Sequence, residues 1–593
     1  MKKHAKPSME HYEESFRKGG GNGLKTLLQL YRGSYRELAG SAAAFAVKHS
    51  PCWILPLVIA NIINFATGVS EVSQREFVWS IIGFSALLLL NVPFQYLHVR
   101  LYSQVMRRTE AGLRFALVAK LQQLSIPYHK KTESGRLQSK LMRDVEQFEM
   151  VSEQLFINMV MFSLTLAFTI SVTLAKSPLV FAFFVCAVPV AAAVMLFFRK
   201  RVKRKNRDFR SEMENTSAQL MEMVELVPVT RAHALEDWEI GRVGKQIHRV
   251  RLSGFRLDTF QALFGSVAWL TFQLFQVLCL AFTGYLAYRK MIPVGDVALY
   301  QSYFGTIVGS VTAVIQLIPI ISKGLESVSS IGDVLLSDEV EHNEGKERVD
   351  EVRGAYRFDH VSYHYPDDDK LILQDFSLNV QPGETIALVG ESGAGKTTVL
   401  NLVIGFLLPT GGCLQVDGHD ITQLHLQSYR CHISVVPQEP VLFTGTIREN
   451  ITYGLPDVSE DKLWEVIDAA HLREMVESLP EGLETKMSEH GANLSGGQRQ
   501  RISIARALIR DPEVIVLDEA TSALDSVSEK KIQQALQRLT KGRTTFIVAH
   551  RLSTIRDADR IAVMENGACV EIGNYEELMQ KQGAFYRYQQ LQR

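Results

Sequence analysis

Long apolar stretches dominate the first half of the chain, and six of them are long enough to cross a bilayer as helices, which takes about 20 apolar residues. They run over residues 39–67, 77–99, 155–175, 178–198, 261–288 and 296–322. The loops after the first, third and fifth stretches are short, whereas the segments after the second and fourth are long and basic. Because basic loops stay in the cytoplasm, this pattern predicts six spans with both termini in the cytoplasm.

The helical pattern continues past the membrane on the cytoplasmic side. From Phe77 to about Leu124 a single proline, Pro93, interrupts it. Roughly 48 residues at 1.5 Å each make a helix of about 70 Å, against about 30 Å of hydrocarbon. About 40 Å of helix should therefore project into the cytoplasm. Residues 199–260 should extend the later spans in the same way.

The region before the first span, residues 1–38, has two parts. Residues 1–23 are polar and glycine-rich, so we expect a mobile tail. Residues 24–38 are amphipathic, which leaves two interpretations open. They form a helix along the membrane surface, or they are the first turns of a longer helix.

Lys48 is the one charged side chain in the interior of the predicted spans. A lysine buried there costs about 3 kcal/mol on insertion scales. Either it faces a water-filled substrate cavity, or it lies near the cytoplasmic end and extends its ammonium to the interface. A cavity with so little charge suits an amphipathic or apolar substrate better than a small ion.

A glycine-rich segment in the second half matches the phosphate-binding loop G-x-x-x-x-G-K-[ST]. With the threonine that follows it, the candidate ATP-binding stretch is Gly390, Glu391, Ser392, Gly393, Ala394, Gly395, Lys396, Thr397 and Thr398. Glycines let backbone N–H groups approach phosphates, lysine adds a positive charge, and the Thr397 hydroxyl can bind Mg²⁺. An apolar run at 384–389 predicts the strand before the loop, and residues 396–407 predict the helix after it.

A second motif follows in the same half of the chain. Residues 514–517 are apolar and precede two acids, Asp518 and Glu519. A buried strand that ends in carboxylates is the Walker B arrangement, in which Asp518 would hold Mg²⁺ and Glu519 would act as general base.

Residues 323–350 are polar and predict a linker, and short alternating elements from 351 to 593 predict an α/β domain.

Composition excludes several classes of protein. The chain has 593 residues, too many for one core. Lys+Arg and Asp+Glu both total 64, which argues against a nucleic-acid partner. The six cysteines are scattered without a CxxC, so we expect neither a zinc set nor disulfides. The N-terminal region carries no signal peptide pattern.

With these motifs, the chain resembles an ATP-binding cassette (ABC) half-transporter of the exporter type over about residues 24–590. The most specific match is the family signature LSGGQ, formed by Leu494, Ser495, Gly496, Gly497 and Gln498. The resemblance implies that this segment contacts ATP held by the opposite subunit. It therefore implies a dimer with two ATP molecules and Mg²⁺ between its ATPase domains.

Further motifs of the family occur in the expected order. Ser522, Ala523, Leu524 and Asp525 resemble the D-loop, His550 resembles the switch histidine, and Gln438 matches the Q-loop glutamine that reaches Mg²⁺ and water. Tyr365 matches the aromatic that stacks on adenine, although Tyr363 is an alternative on the same face of the strand. The resemblance places coupling helices at residues 133–139 and around 230–235. His490 replaces the usual arginine near the signature, and we hypothesise that it makes coupling sensitive to pH.

The resemblance implies a membrane helical domain at 39–322 followed by an α/β P-loop ATPase at 351–593. It implies an ATP-driven exporter of an amphipathic substrate such as a lipid, drug or peptide, in a bacterial inner membrane with a cytoplasmic ATPase domain. Intact motifs favour a homodimer, while a heterodimer stays open. The rival from another class is an ATP-gated channel or regulatory ATPase. An importer subunit and a soluble ABC ATPase fit the fused spans less well.

Overall fold

The computed structural model describes residues 9–68, 74–132, 134–365, 370–488, 491, 493–518, 526–549 and 552–591. The chain divides into two compact units. The first comprises Met1–Gln123 and Glu133–Asp338, and the second comprises Leu124–Thr132 and Glu339–Arg593.

The first unit is helical. Its helices are α1 (Met9–Gly19), α2 (Gly23–Leu30), α3 (Tyr35–Ala66), α4 (Gln74–Gln123), α6 (Ser134–Ser139), α7 (Val145–Lys176), α8 (Pro178–Ala232), α9 (Glu236–Tyr288) and α10 (Val294–Leu335). A π-helical turn, Lys140–Asp144, joins α6 to α7. Helix α5 (Ile126–Lys131) belongs to the second unit.

Five stretches of the described helices are long and apolar enough to cross a membrane: Tyr35–Ala66, Phe77–Gln123, Ser134–Lys176, Glu236–Tyr288 and Val294–Leu335. They contain five of the six predicted spans. The fourth predicted span, residues 178–198, lies in α8, where most side chains from 187 to 200 are outside the described part. The predicted continuation of the helices beyond the apolar stretches is confirmed, since α4 has 50 residues and α8 has 55.

The prediction of a mobile tail is wrong for residues 9–19. They form α1, which packs against α4 with Tyr12 and Phe16 buried. Tyr12 occupies a notch at Gly112, where an ideal Cβ would come within 1.9 Å of the tyrosine hydroxyl. Glu13 accepts a 3.0 Å ion pair from Lys120, whose side chain is 9% exposed. Helix α2 is separate from α3, so residues 24–30 are not the first turns of the first span.

Polar contacts join the membrane helices to one another. The indole of Trp53 on α3 donates to the hydroxyl of Thr165 on α7 at 2.9 Å, and the hydroxyl of Tyr303 on α10 donates to the Trp53 carbonyl at 3.0 Å. Lys176 and Asp296 form a 3.0 Å ion pair between α7 and α10. Lipid offers no hydrogen-bond partner, so these groups must satisfy one another.

The second unit contains two main sheets. Their strands are β1 (Tyr356–His364), β2 (Leu371–Val380), β3 (Thr385–Gly390), β4 (Gly411–Val416), β5 (His419–Asp420), β6 (Ile433–Val436), β9 (Val514–Asp518), β10 (Thr544–Val548), β11 (Arg560–Glu565) and β12 (Ala568–Gly573). The strand orders are β2-β1-β4-β5 and β12-β11-β3-β10-β9-β6. A short pair, β7 (Gly445–Thr446) and β8 (Lys486–Met487), lies apart.

Helices cover these sheets. They are α11 (Lys396–Val403), α12 (Leu426–Arg430), α13 (Ile447–Ile451), α14 (Glu460–Ala469), α15 (Arg473–Ser478), α16 (Gly496–Leu508), α17 (Ser526–Thr540), α18 (Leu552–Arg556), α19 (Tyr575–Lys581) and α20 (Ala584–Leu591).

Strand β3 lies inside the larger sheet and is buried on both faces. Ile386 and Leu388 pack into the core shared with the antiparallel sheet and α11. Ala387 and Val389 pack into the core that includes α17. A strand that is covered on both faces consists of consecutive apolar residues, and such a run allows the strand to be predicted from the sequence.

Replacing Gly112 with valine should release α1 from α4, because the new side chain would overlap the Tyr12 ring. We expect amide hydrogen exchange of residues 9–19 to rise by about an order of magnitude, since local opening would no longer be opposed by this packing. Gly83→Val on the same helix is the matched control, because no described neighbour lies within 4 Å of an ideal Cβ there. Unchanged exchange at 9–19 in Gly112→Val would contradict this account of α1.

Candidate functional site

The phosphate-binding loop connects β3 to α11, as the sequence predicts. Gly393 and Gly395 have φ angles of 85° and 97°, a region that side chains disfavour. An ideal Cβ on Gly390 would come within 2.3 Å of the Met564 carbonyl, and one on Gly395 within 2.7 Å of Leu373. Glycine is therefore required at these positions by backbone conformation and by close packing.

Lys396 is the first residue of α11 and is 7% exposed. Its ammonium donates to the carbonyls of Gly390 and Glu391, both at 2.8 Å. The lysine thus folds back over its own loop. Thr397 exposes its side chain, whereas Thr398 is buried.

Four neighbouring parallel strands end at the same edge of the larger sheet. Along the order β3-β10-β9-β6, every pairing is parallel. The phosphate-binding loop follows β3, the half-buried Asp518 ends β9, and the exposed Gln438 lies two residues after β6. Because carboxyl ends of parallel strands form the ligand-binding edge of such sheets, the fold brings these predicted residues to one place.

Several predicted residues lie outside the described part of the chain. Glu519 comes directly after the end of β9, and His550 follows one residue after Ala549 beyond β10. The D-loop residues Ser522, Ala523, Leu524 and Asp525 and the substituted His490 are also outside it. Their roles stay predictions.

The signature segment begins helix α16. Ser495 is its N-cap and accepts a hydrogen bond from the Gln498 amide at 3.2 Å, while the Gln498 side chain accepts from the Ser495 amide at 2.8 Å. This reciprocal capping box fixes the first turn. Gln500 on the same helix donates to the Pro437 carbonyl at 3.4 Å, next to Gln438.

The two candidate adenine-stacking tyrosines differ in exposure. Tyr363 lies within β1 and is 4% exposed, and burial raises its pKa to about 12. Tyr365 follows the strand and is half-buried, with its ring 5.2 Å from that of Tyr363 in an edge-to-face arrangement. Only a ring with an open face can receive a base, so this difference favours Tyr365.

Lys48 lies in α3 and is half-buried. Its ammonium is 5.5 Å from the centre of the Phe45 ring, and its carbonyl accepts from the Asn91 amide at 2.7 Å. Both interpretations of this lysine stay open.

The predicted first coupling helix, residues 133–139, contains α6, and its coupling role stays a prediction. The segment grouped with the ATPase-like unit is 124–132, which includes α5, whereas α6 at 134–139 belongs to the helical unit. Residues 230–232 end α8, and residues 233–235 form the turn before α9. Sequence reasoning missed Arg430, because its partner Glu341 lies 89 residues away and no local pattern links them.

Comparisons with known proteins agree with this architecture. The model of the ABC transporter transmembrane region matches residues 46–311, and that of the ABC transporter matches residues 373–522. The putative multidrug export ATP-binding/permease protein YgaD of Bacillus subtilis (strain 168) is 32% identical, over 94% of this chain and 97% of its own. The ATP-dependent lipid A-core flippase of Dechloromonas aromatica (strain RCB) is 31% identical, over 96% and 97%.

A solved structure shows the same fold. It is a bacterial Atm1-family ABC exporter with ATP bound, with a TM-score of 0.80 and 24% identity, covering 94% of this chain and 98% of that one. The predicted fold class, a helical membrane domain followed by an α/β ATPase domain, is confirmed.

The two tyrosines can be separated by substitution. Tyr365→Ala should raise the Kd for ATP by about 5- to 100-fold, because stacking on a base contributes about 1–3 kcal/mol. Tyr363→Ala should instead lower the melting temperature, since it removes a buried side chain. Titration with a fluorescent ATP analogue and a thermal melt of each variant provide the measurements. Weaker nucleotide binding in Tyr363→Ala with Tyr365→Ala unaffected would reverse the assignment.

Proposed function

This chain belongs to the ABC transporter family, and from that premise we propose how its residues perform ATP-driven export. It is an integral membrane protein and an ATP-hydrolysing exporter. Its half-transporter architecture implies dimerisation. The observation that carries the assignment of roles is the convergence of the phosphate-binding loop, Asp518 and Gln438 at one edge of the parallel sheet.

The loop residues 390–395 would offer backbone N–H groups to the ATP phosphates, and Lys396 would exchange its two carbonyl partners for phosphate oxygens. Thr397, Asp518 and Gln438 supply the oxygen ligands that suit Mg²⁺. The ion, when bound, neutralises charge on the phosphates. Glu519 would orient and deprotonate the attacking water, and His550 would contact the γ-phosphate.

The second half of each ATP site would come from another subunit. Ser495 and the glycines after it begin a helix, whose N-terminus favours anions. We propose that this signature contacts the γ-phosphate held by the partner, across an interface that includes the D-loop. Every catalytic motif is intact in this one chain, which favours a homodimer, and a heterodimer is the alternative.

ATP would drive transport by binding the closed pair of ATPase domains better than the open pair. Closure would turn the substrate cavity from inward- to outward-facing, and hydrolysis would reset it. This mechanism requires hydrolysis, unlike that of a gated channel.

The substrate we propose is amphipathic or hydrophobic. Two kinds of relative support this class, since one is named a multidrug export protein and another a lipid A-core flippase. Lys48 is the one charge in the interior of the predicted spans, since Asp296 stands at the first residue of the sixth, and this points the same way. Basic cytoplasmic loops support an orientation with the ATPase domain in the cytoplasm of a bacterial cell.

The assignment of Glu519 can be tested in liposomes. Glu519→Gln should bind ATP, but its rate of ATP hydrolysis should fall by about 10³-fold or more. The variant loses both the general base and the carboxylate that orients the attacking water. ATP hydrolysis by the wild type should respond selectively to one class among lipid extracts, amphipathic dyes and short peptides. Hydrolysis by Glu519→Gln at the wild-type rate would refute the base assignment. Wild-type ATP hydrolysis no faster than that of Glu519→Gln would favour the gated channel.

The role of Lys48 needs its own variant. If Lys48 contacts substrate, Lys48→Ala should change which compounds stimulate ATP hydrolysis while basal turnover stays within about twofold, because the ATP site is untouched. Lys48→Arg keeps the positive charge and serves as the control. An unchanged stimulation profile in Lys48→Ala would leave the lysine as an interfacial anchor.

A further inference from the structure

The helix that begins at the phosphate-binding loop is held at its other end by one arginine. Arg430 donates from Nε to the Ile404 carbonyl at 3.1 Å and from Nη2 to the Gly405 carbonyl at 2.7 Å. Its guanidinium lies 5.2 Å from the centre of the Phe406 ring. The carbonyls at a helix C-terminus carry partial negative charge, so an arginine there satisfies and stabilises the end of α11.

The same guanidinium also binds the segment that leads out of the sixth span. Nη2 of Arg430 donates to Oε2 of Glu341 at 2.7 Å, and both side chains are 24% exposed. An ion pair that is half-buried and hydrogen-bonded is stronger than an exposed one. Arg430 therefore ties the end of the phosphate-binding helix to a point in the linker.

We call residues 339–349 the linker strap. Hydrogen bonds fix it along the ATPase unit: Leu426 N to Asn343 Oδ1 at 2.8 Å, Glu347 N to Gln423 O at 3.1 Å, His425 N to Glu347 O at 2.7 Å, and Val349 N to Ser428 Oγ at 3.0 Å. The strap is thus an ordered part of the ATPase unit, with Glu341 near its start.

The start of the strap meets the segment that leaves the second span. Val340 forms an antiparallel bridge with Leu124, and the Ser125 amide donates to the Glu339 carbonyl at 2.8 Å. Leu124 directly follows α4, and α5 begins two residues later. The chain segments that continue α4 and α10 are therefore joined beside Glu341.

One cavity also links these parts. Ile126 and Pro127 of α5 line it together with Val340 of the strap, Tyr363 at the end of β1, and Phe406 after α11. The start of α5, the strap and the end of the phosphate-binding helix therefore face a common space.

We propose that Arg430 and Glu341 are positioning residues that transmit occupancy of the phosphate-binding loop to residues 124–132 and the strap. An eight-residue helix moves as a unit, so a shift at its phosphate end is reproduced at Ile404 and Gly405. Arg430 follows those carbonyls, and its pair with Glu341 moves the strap and the Leu124 bridge. This inference rests on the proposed function only in taking the loop as the ATP site.

The test is hydrogen exchange of residues 124–132 in the full-length protein in liposomes, with and without a non-hydrolysable ATP analogue and Mg²⁺. In the wild type the analogue should slow exchange of this segment by fivefold or more, the range of an ordinary coupling free energy. Glu341→Gln keeps the shape of the side chain and leaves the cap on α11 intact. It should lose most of this slowing while its affinity for the analogue stays within about twofold.

Three further variants separate coupling from general stability. Arg430→Lys keeps a charge but replaces the planar guanidinium, which uses both Nε and Nη2 here, by a single ammonium nitrogen, so it should also lose the slowing. The double variant Arg430→Lys with Glu341→Gln should lose little more of the slowing than either single variant, as expected for two residues that act as one pair. Arg357→Met removes an exposed arginine that pairs with Asp359 at 3.3 Å, and it should behave as the wild type.

The outcomes are distinct. If the wild type does not bind the analogue, the proposed ATP site fails and this inference fails with it. If the wild type binds and Glu341→Gln retains the full slowing, only this inference is overturned. A fall in melting temperature and affinity with the slowing preserved would show a structural role and would equally overturn it. Glu341→Gln decides the question even where Arg430→Lys fails to fold.

Discussion

The common direction of four strands is the constraint on which the ATP site depends. Strands β3, β10, β9 and β6 are parallel neighbours, so whatever follows each of them is delivered to the same edge. Groups far apart in sequence, such as Lys396, Gln438 and Asp518, are therefore brought to one edge of the sheet. A single antiparallel strand in this series would send its motif to the opposite edge.

The membrane unit follows from a different constraint, the absence of hydrogen-bond partners in lipid. Helices satisfy their own backbone groups, and buried side chains such as Trp53 and Tyr303 must find partners on neighbouring helices. Ions face the same demand, which Lys176 and Asp296 meet by pairing across α7 and α10. Close contacts of this kind make the helices respond to one another, so a displacement at a cytoplasmic end can reach the spans.

Features set by local pattern could be predicted from the sequence, and those set by distant partners could not. The strand, loop and helix around Lys396 follow from apolar runs and glycine spacing within some twenty residues. Helix α1 was missed because short helices are marginal alone, and this one depends on Tyr12 fitting a notch at Gly112. The Arg430–Glu341 pair was missed because its partners lie 89 residues apart and no local pattern links them. Alternation in β1 could not rank Tyr363 against Tyr365, since their exposure depends on where the strand ends.

A capping box fixes the first turn of the signature helix α16. The first N–H groups of a helix have no acceptor within it. In α16 the Ser495 hydroxyl accepts a hydrogen bond from the backbone amide of Gln498, the third helical residue. The backbone amides of Gly496 and Gly497 have no acceptor within the helix. These two amides have no side chains to shield them. The capping box therefore fixes the geometry of this turn, in which Gly496 is half-buried and Gly497 is buried. A phosphate on a partner subunit would then meet a preformed surface, and little ordering of the loop would oppose closure of the dimer.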